Sequence, residues 1–250
     1  MTTAPILAGA EPFAVDGGTG GVLVSHGFTG SPQSMRFLAE QLAEGGLTVR
    51  LPRLRGHGTT PEEMAASSAE DWIRDLEAPL QELQARCAKV FMTGLSMGGT
   101  LTLYLAGAYA GQIAGIIPIN AAITLNNPDF AGLAFHPAAP PVIPGVGSDI
   151  KQPGVVELAY PVVPVPAIRQ IYGLMAVTRE LLPRITCPAL VITSRDDHVV
   201  PPMNGPLIVE QLGSTDKRLL WLEESYHVAT LDNDKERIAA EALDFIRARS

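Results

Sequence analysis

Short aliphatic runs bounded by glycine alternate, in the first half of the chain, with longer stretches in which apolar residues recur every three or four positions. Residues 21–25 (Gly-Val-Leu-Val-Ser) form the first such run and read as a buried strand. Ser31 and Pro32 have the character of a helix start, a cap followed by proline at the first helical position. The helix they open is predicted to run to about Glu44 and to stop at Gly45-Gly46. Residues 47–51 predict the next strand. Trp72, Leu76, Leu80, Leu83 and Cys87 then fall at spacings of three and four, the period of an amphipathic helix. A strand at 89–93, a mostly apolar helix at 97–110 and a strand at 113–119 follow. Strand and helix alternating in this way predict an α/β fold with a mainly parallel central sheet flanked by helices.

The alternation then breaks. Between Pro128 and Pro188 stand 11 of the 21 prolines but only eight residues of the Asp, Glu, Lys and Arg classes. Proline removes ladder donors, so this stretch makes a poor core strand, and it is too apolar for a flexible linker. Residues 122–187 are therefore read as an inserted cap, or lid, with a helix over 167–182. The core then comprises residues 1–121 and 188–250. Alternation resumes with a strand at 189–192, a helix near 205–212, a strand at 218–222 and a last helix from about Asp234.

Composition narrows the function. A chain of 250 residues that is 46% hydrophobic suits one large domain with an insertion and is too apolar for disorder. The longest apolar run, 113–125, contains Pro118 and Asn120, so no membrane-spanning helix is expected. A formal net charge of −8 argues against a nucleic-acid groove, which needs clustered Lys and Arg. The two cysteines, Cys87 and Cys187, lack CxxC spacing, so neither a disulfide scaffold nor a zinc finger is expected. Residues 1–10 carry no Lys or Arg ahead of their short apolar patch. No secretory signal is expected there, and a reducing cytoplasm fits.

Chemistry gathers at the ends of the predicted strands. Residues 94–98 (Gly-Leu-Ser-Met-Gly) match GxSxG between a strand and a helix, the setting of a nucleophile elbow. A serine hydroxyl needs a base, and a neutral imidazole needs an orienting acid. Among the five histidines, His227 follows the last predicted strand and precedes the last helix, where the base of this fold class belongs. The acid is expected at Asp197, with Asp196 in reserve. Adjacent side chains in extended backbone point opposite ways, so only one of the two reaches His227. The run Asp196-Asp197-His198 also suggests a metal, but no other ligand set with metal spacing accompanies it, and no metal is expected. His26-Gly27-Phe28 follows the first buried strand. Its place suggests an oxyanion hole made by the backbone N–H groups of Phe28 and Met97. His26 reads as a structural hydrogen-bonder, and His57 as a histidine that braces its glycine-framed loop.

Together these residues resemble the α/β-hydrolase family, and more narrowly its bacterial monoacylglycerol lipases and related small carboxylesterases. The resemblance rests on HGFTG at 26–30, PRLRGHGT at 52–59, TGLSMGGTLTLYLA at 93–106, PINAA at 118–122, DHVVPP at 197–202 and SYHVATLD at 225–232. It implies a serine hydrolase without cofactor, with Ser96 as nucleophile, Asp197 as acid, His227 as base and a cap over an acyl pocket. The substrate implied is a small lipid ester. The cap, unusually rich in proline at 137–144 and 161–166, is where this chain departs from the family pattern. Its aliphatic residues, Val146 among them, are candidates for lining an acyl tunnel, and they suit a transient contact with a membrane or micelle surface. Glu157, a lone carboxylate in an apolar stretch, is a candidate for accepting hydrogen bonds from glycerol hydroxyls, with a solvated helix face as the alternative; Asn120, at the end of a predicted strand, lies where ligand groups gather in open sheets or else ties down the chain. A general carboxylesterase is the alternative reading, and a non-enzymatic binder of hydrophobic ligands on the same fold is a more distant one.

Overall fold

A computed structural model describes residues 4–250. Met1, Thr2 and Thr3, the start of the segment read above for a leader, lie outside the described residues. The chain folds in the order β1 (Phe13–Val15), β2 (Gly20–Ser25), α1 (Gln33–Glu44), β3 (Thr48–Leu51), α2 (Pro61–Ala65), α3 (Ala69–Arg86), β4 (Lys89–Leu95), α4 (Met97–Ala108) and β5 (Gly115–Ile119). After an excursion it continues with β8 (Ala189–Ser194), α7 (Asn204–Gln211), β9 (Lys217–Leu222) and α8 (Lys235–Arg247). Seven strands form one sheet in the order β1-β3-β2-β4-β5-β8-β9. Only β1 is antiparallel to its neighbour.

The continuous aliphatic runs have a physical cause. A parallel sheet covered on both faces must bury successive side chains on opposite sides. Leu23, Met92, Ile116 and Val191 pack with Leu76, Leu80 and Leu101 of α3 and α4 on one face. Val22, Val24, Phe91 and Ile192 pack with Leu38, Leu42, Ala242 and Phe245 of α1 and α8 on the other. Each fully buried Val or Leu contributes about 1.5–3 kcal/mol relative to exposure, so both layers are needed to hold the sheet.

Between β5 and β8 the chain leaves the sheet and builds α5 (Pro128–Phe135), a two-stranded antiparallel ribbon of β6 (Val142–Pro144) and β7 (Val162–Pro164), and α6 (Val165–Leu181). The prolines sit where they cost least. Pro128 and Pro166 occupy first-turn positions of helices, where no ladder donor is lost. The ribbon is isolated from the main sheet, so its prolines interrupt no core ladder. Among the described residues no helix is long and apolar enough to cross a membrane.

Several local expectations change. Ser31 does not cap α1 with its side chain: its hydroxyl is buried without a partner, and its backbone carbonyl accepts from Ser34 N at 3.2 Å. Pro32 already has helical dihedrals, so backbone geometry alone starts the helix. The helix at 72–87 begins earlier, at Ala69. There Ser68 and Asp71 form a reciprocal capping box, and the N–H of Ala69 donates to Gln170 Oε1 of α6 at 3.1 Å. Ser68→Ala is expected to cost about 1 kcal/mol of stability. An unchanged urea midpoint for that variant would show that the Gln170 contact holds the helix end without the box.

Candidate active site

The sharpest feature of the backbone lies at Ser96. Strand β4 ends at Leu95 and α4 begins at Met97, so the whole reversal falls on one residue, held at φ 57° and ψ −119°. Side chains other than glycine rarely occupy positive φ, and such strain persists only where the surroundings over-determine it. Two glycines supply the room. A Cβ at Gly94 would collide with the carbonyl of Gly98, and one at Gly98 with the carbonyl of Ser25. The chain can therefore turn against the end of β2 and leave the Ser96 side chain facing a cavity.

The end of β2 forms the opposing wall. Leu54 N donates to His26 Nε2 at 3.1 Å, which places the His26 proton on Nδ1, where it donates to the Gly27 carbonyl at 3.0 Å. His26 thus ties the glycine loop to the 52–59 loop. His57 packs edge-on against His26, Phe28 and Trp72, with ring centroids 5.1, 6.4 and 5.5 Å away. Burial pushes both histidines down, His26 well below its ordinary value and His57 to about 4. Both are structural. Phe28, seated on this cluster, and Met97, the first residue of α4, line the same cavity as Ser96. The backbone amide of neither residue donates to another protein group among the described residues.

The loops after β8 and β9 meet opposite. Asp197 is buried, and its Oδ1 accepts from the amides of Val199 and Val200 at 2.9 and 2.7 Å. Its Oδ2 lies 2.8 Å from His227 Nδ1. That bond leaves Nε2 of His227 for the cavity it shares with Ser96. Ser96 Oγ and the His227 ring are not hydrogen-bonded to each other in this conformation; such contacts commonly tighten only with substrate in place. Burial disfavours a charged His227, but the Asp197 carboxylate, by charge and by hydrogen bond, together with Glu157 and Asp149, outweighs it. The ring is therefore held above the ordinary histidine value. Asp196 is exposed and makes no contact with His227, while Arg195 pairs with Glu223 at 2.8 Å.

The cavity measures about 220 Å³. Its apolar lining is shared between the insertion, through residues such as Leu125, Phe130 and Val146, and the core, through residues such as Phe28, Met97 and Val200. Val146 stands at the mouth, 66% exposed. Glu157 also lines it, with Oε1 2.6 Å from where a Cβ on Gly30 would stand. Burial pushes the Glu157 carboxyl up to about 7, against the pull of the His227 ring and the Ser34 hydroxyl. Of the two roles open to Asn120, its hydrogen bonds show the one that ties down the chain. It is buried at φ 43°, its Oδ1 accepts from Ser194 N at 2.7 Å, and its Nδ2 donates to the His227 carbonyl at 2.8 Å. It braces the His227 loop and does not line the cavity. Asp149, a residue that no sequence spacing marks, accepts from His227 N at 3.1 Å. No group of three or more metal-ligating side chains occurs among the described residues.

A fold of this topology, with a strained serine at a strand–helix turn and an Asp–His pair facing it, defines a hydrolase scaffold. The chain belongs to the alpha/beta hydrolase family, whose profile matches residues 22–241. It is 49% identical over 242 residues to a thermostable monoacylglycerol lipase of Bacillus sp. (strain H-257), covering 96% of each chain. It is 28% identical to a carboxylesterase of Bacillus subtilis (strain 168), over 94% of this chain and 96% of that one. A solved structure from work on two metagenome-derived lipolytic enzymes, LipS and LipT, superposes with TM-score 0.96 at 62% identity, over 98% of this chain and 100% of the other. A monoacylglycerol lipase of Paleococcus ferrophilus shares the fold, with TM-score 0.79 at 20% identity over 96% of this chain and 100% of that one.

The neutral, buried His57 makes stability depend on pH. Its folded value of about 4 lies below its ordinary value of 6.5, so the unfolded chain binds more protons in that interval. Stability is therefore expected to fall as pH drops below about 6.5, by a few kcal/mol in all by about pH 4, with His26 acting in the same direction. Melting of wild type and His57→Gln across pH 4–7 tests this. Parallel curves for the two proteins would show that His57 is not a source of the acid lability.

Proposed function

We propose that the chain hydrolyses carboxylic esters of lipids, foremost monoacylglycerols, through an acyl-enzyme on Ser96. The observation that carries this reading is the 2.8 Å Asp197–His227 bond on one cavity with a serine held on a strained turn, and with Phe28 and Met97 on the same lining. His227 Nε2 takes the Ser96 proton as Oγ attacks the ester carbonyl. The N–H groups of Phe28 and Met97 receive the developing oxyanion; one such donor is typically worth ~3–4 kcal/mol. His227 then returns the proton to the departing alcohol, and water repeats the two steps on the acyl-enzyme. Asp197, fixed by two backbone amides, keeps the Nδ1–H tautomer and stabilises the transient imidazolium.

Selectivity is assigned to residues 122–187 acting as a cap. Apolar side chains around the cavity suit an acyl chain, each buried methylene being worth about 0.8 kcal/mol. Glu157, on the same cavity as Ser96, is assigned to the hydroxyls of a glycerol leaving group. Phe135, Val142, Val146 and Val156 expose apolar surface on the insertion, and we assign them to transient contact with a lipid or micelle surface. The 49% identity to a monoacylglycerol lipase favours this substrate over a simple ester.

Ser96→Ala is expected to abolish esterase turnover, and a fluorophosphonate probe to label wild type once per chain, on Ser96. A chain that binds hydrophobic ligands but takes no label would be a binder instead. Because His227 must be neutral to act as base and its value is raised, the acid limb of kcat/KM is expected to have its midpoint above pH 6.5. A midpoint well below that would remove His227 from the role of base. Glu157→Leu is expected to raise KM for monoacylglycerols about tenfold or more while sparing p-nitrophenyl esters of the same acyl length. Equal losses on both substrates would favour a general carboxylesterase.

A further inference from the structure

Asp149 belongs to the inserted segment, yet its carboxylate sits between the two loops of the core that carry Asp197 and His227. Oδ1 lies 2.8 Å from the His198 ring at Nδ1. Oδ2 accepts from the backbone N–H of His198 at 3.2 Å and from that of His227 at 3.1 Å. The Asp149 carbonyl accepts from Val228 N at 3.0 Å. One residue thus holds the position after the acid, the base itself and the position after the base. Its side chain is only 14% exposed.

The neighbouring residues fix where that carboxylate stands. Lys151 N and Gln152 N donate to the two oxygens of Asp232 at 2.7 and 2.9 Å, and Tyr226 N donates to the same side chain at 2.9 Å. Asp232 is fully buried. The segment 149–152 is therefore clamped to the loop of the base from both directions: Asp149 reaches into the core, and Asp232 reaches out from it. Nothing in the 2.8 Å Asp197–His227 bond itself requires this clamp. The other ties between the two loops, namely the Asn120 brace, the Ser194 hydroxyl on the Tyr226 carbonyl at 2.8 Å and the Arg195–Glu223 pair, leave the backbone N–H groups of His198 and His227 to Asp149.

We propose that Asp149 is a positioning residue for ester hydrolysis. It is supplied by the insertion and sets the distance between the acid and base loops through the backbone of His198 and His227. This rests on the reading of the chain as a Ser96 hydrolase. The insertion then has two separable duties, covering the cavity and completing the geometry of the Asp–His pair. An ångström-scale misplacement of a catalytic group can cost a hundredfold in rate, so loss of the clamp is expected in kcat, not in substrate affinity.

The test compares Asp149→Ala, Asp149→Asn and Asp149→Glu, each normalised to sites titrated to completion with a fluorophosphonate. An amide at 149 keeps an oxygen for the two backbone N–H groups and an NH2 for His198 Nδ1, so Asp149→Asn is expected to retain kcat within about threefold. Asp149→Ala removes every side-chain contact and is expected to lose about thirtyfold or more in kcat with little change in KM. Asp149→Glu keeps the charge but displaces it by one methylene. It is expected to lose about tenfold, and it decides the matter should the alanine variant fail to fold. Wild-type kcat per titrated site in the alanine or glutamate variant would overturn the proposal, even with a lowered melting temperature. A loss confined to KM, or an asparagine variant no better than alanine, would overturn it as well. Absence of labelling and turnover in wild type would instead refute the hydrolase reading.

Discussion

The close approach of three backbones at the Ser96 turn constrains everything around it. Gly94, Gly98 and the end of β2 stand so near one another that a single Cβ at either glycine would strike a carbonyl. A small polypeptide contact thereby puts a side chain at positive φ on the rim of a buried parallel sheet. The strain at that residue is borne by strands packed on both faces, which is why a sheet of buried aliphatic side chains is a precondition of the chemistry.

The histidine opposite is held in another way. No single tight turn places His227. Its ring is oriented by Asp197, its carbonyl by Asn120 from the end of β5, and its N–H by Asp149 from the insertion. Three segments distant in sequence converge on one residue through polar groups that are buried and satisfied, an arrangement that is rigid only while every partner is present. The serine side of the site is therefore set by local backbone sterics, and the histidine side by long-range hydrogen bonding.

This contrast explains what could be read from the chain before its fold was known. The elbow, the order of Ser96, Asp197 and His227, and the central strands all leave local signatures: glycines at fixed offsets, runs buried on two faces, a loop following a strand. Alternation of extended backbone allows only one of Asp196 and Asp197 to reach His227, and which one it is comes from the fold, where Asp197 bonds the ring. Asn120 and Asp149 leave no such signature, because each acts on a residue about 80 to 110 positions away. Asn120 stood at a strand end where ligands often gather, and the register that turns it inward is invisible in one dimension. Ser31 was similarly ambiguous, since a serine beside proline suits a helix start whether its hydroxyl or its carbonyl does the bonding. In the insertion, α5 and the β6–β7 ribbon were obscured by prolines. Their tolerance there depends on isolation from the main sheet, a tertiary fact.

The clamp at residues 149–152 divides the insertion unequally. Near its middle the segment is fastened to the loop of the base, whereas α5 and Val146, which precede the clamp, meet the cavity and solvent. Substitutions ahead of the clamp therefore reshape the cavity wall while leaving the bonds at 149–152 in place. The shape of the cavity and the placement of the His227 loop are thus separable in this chain.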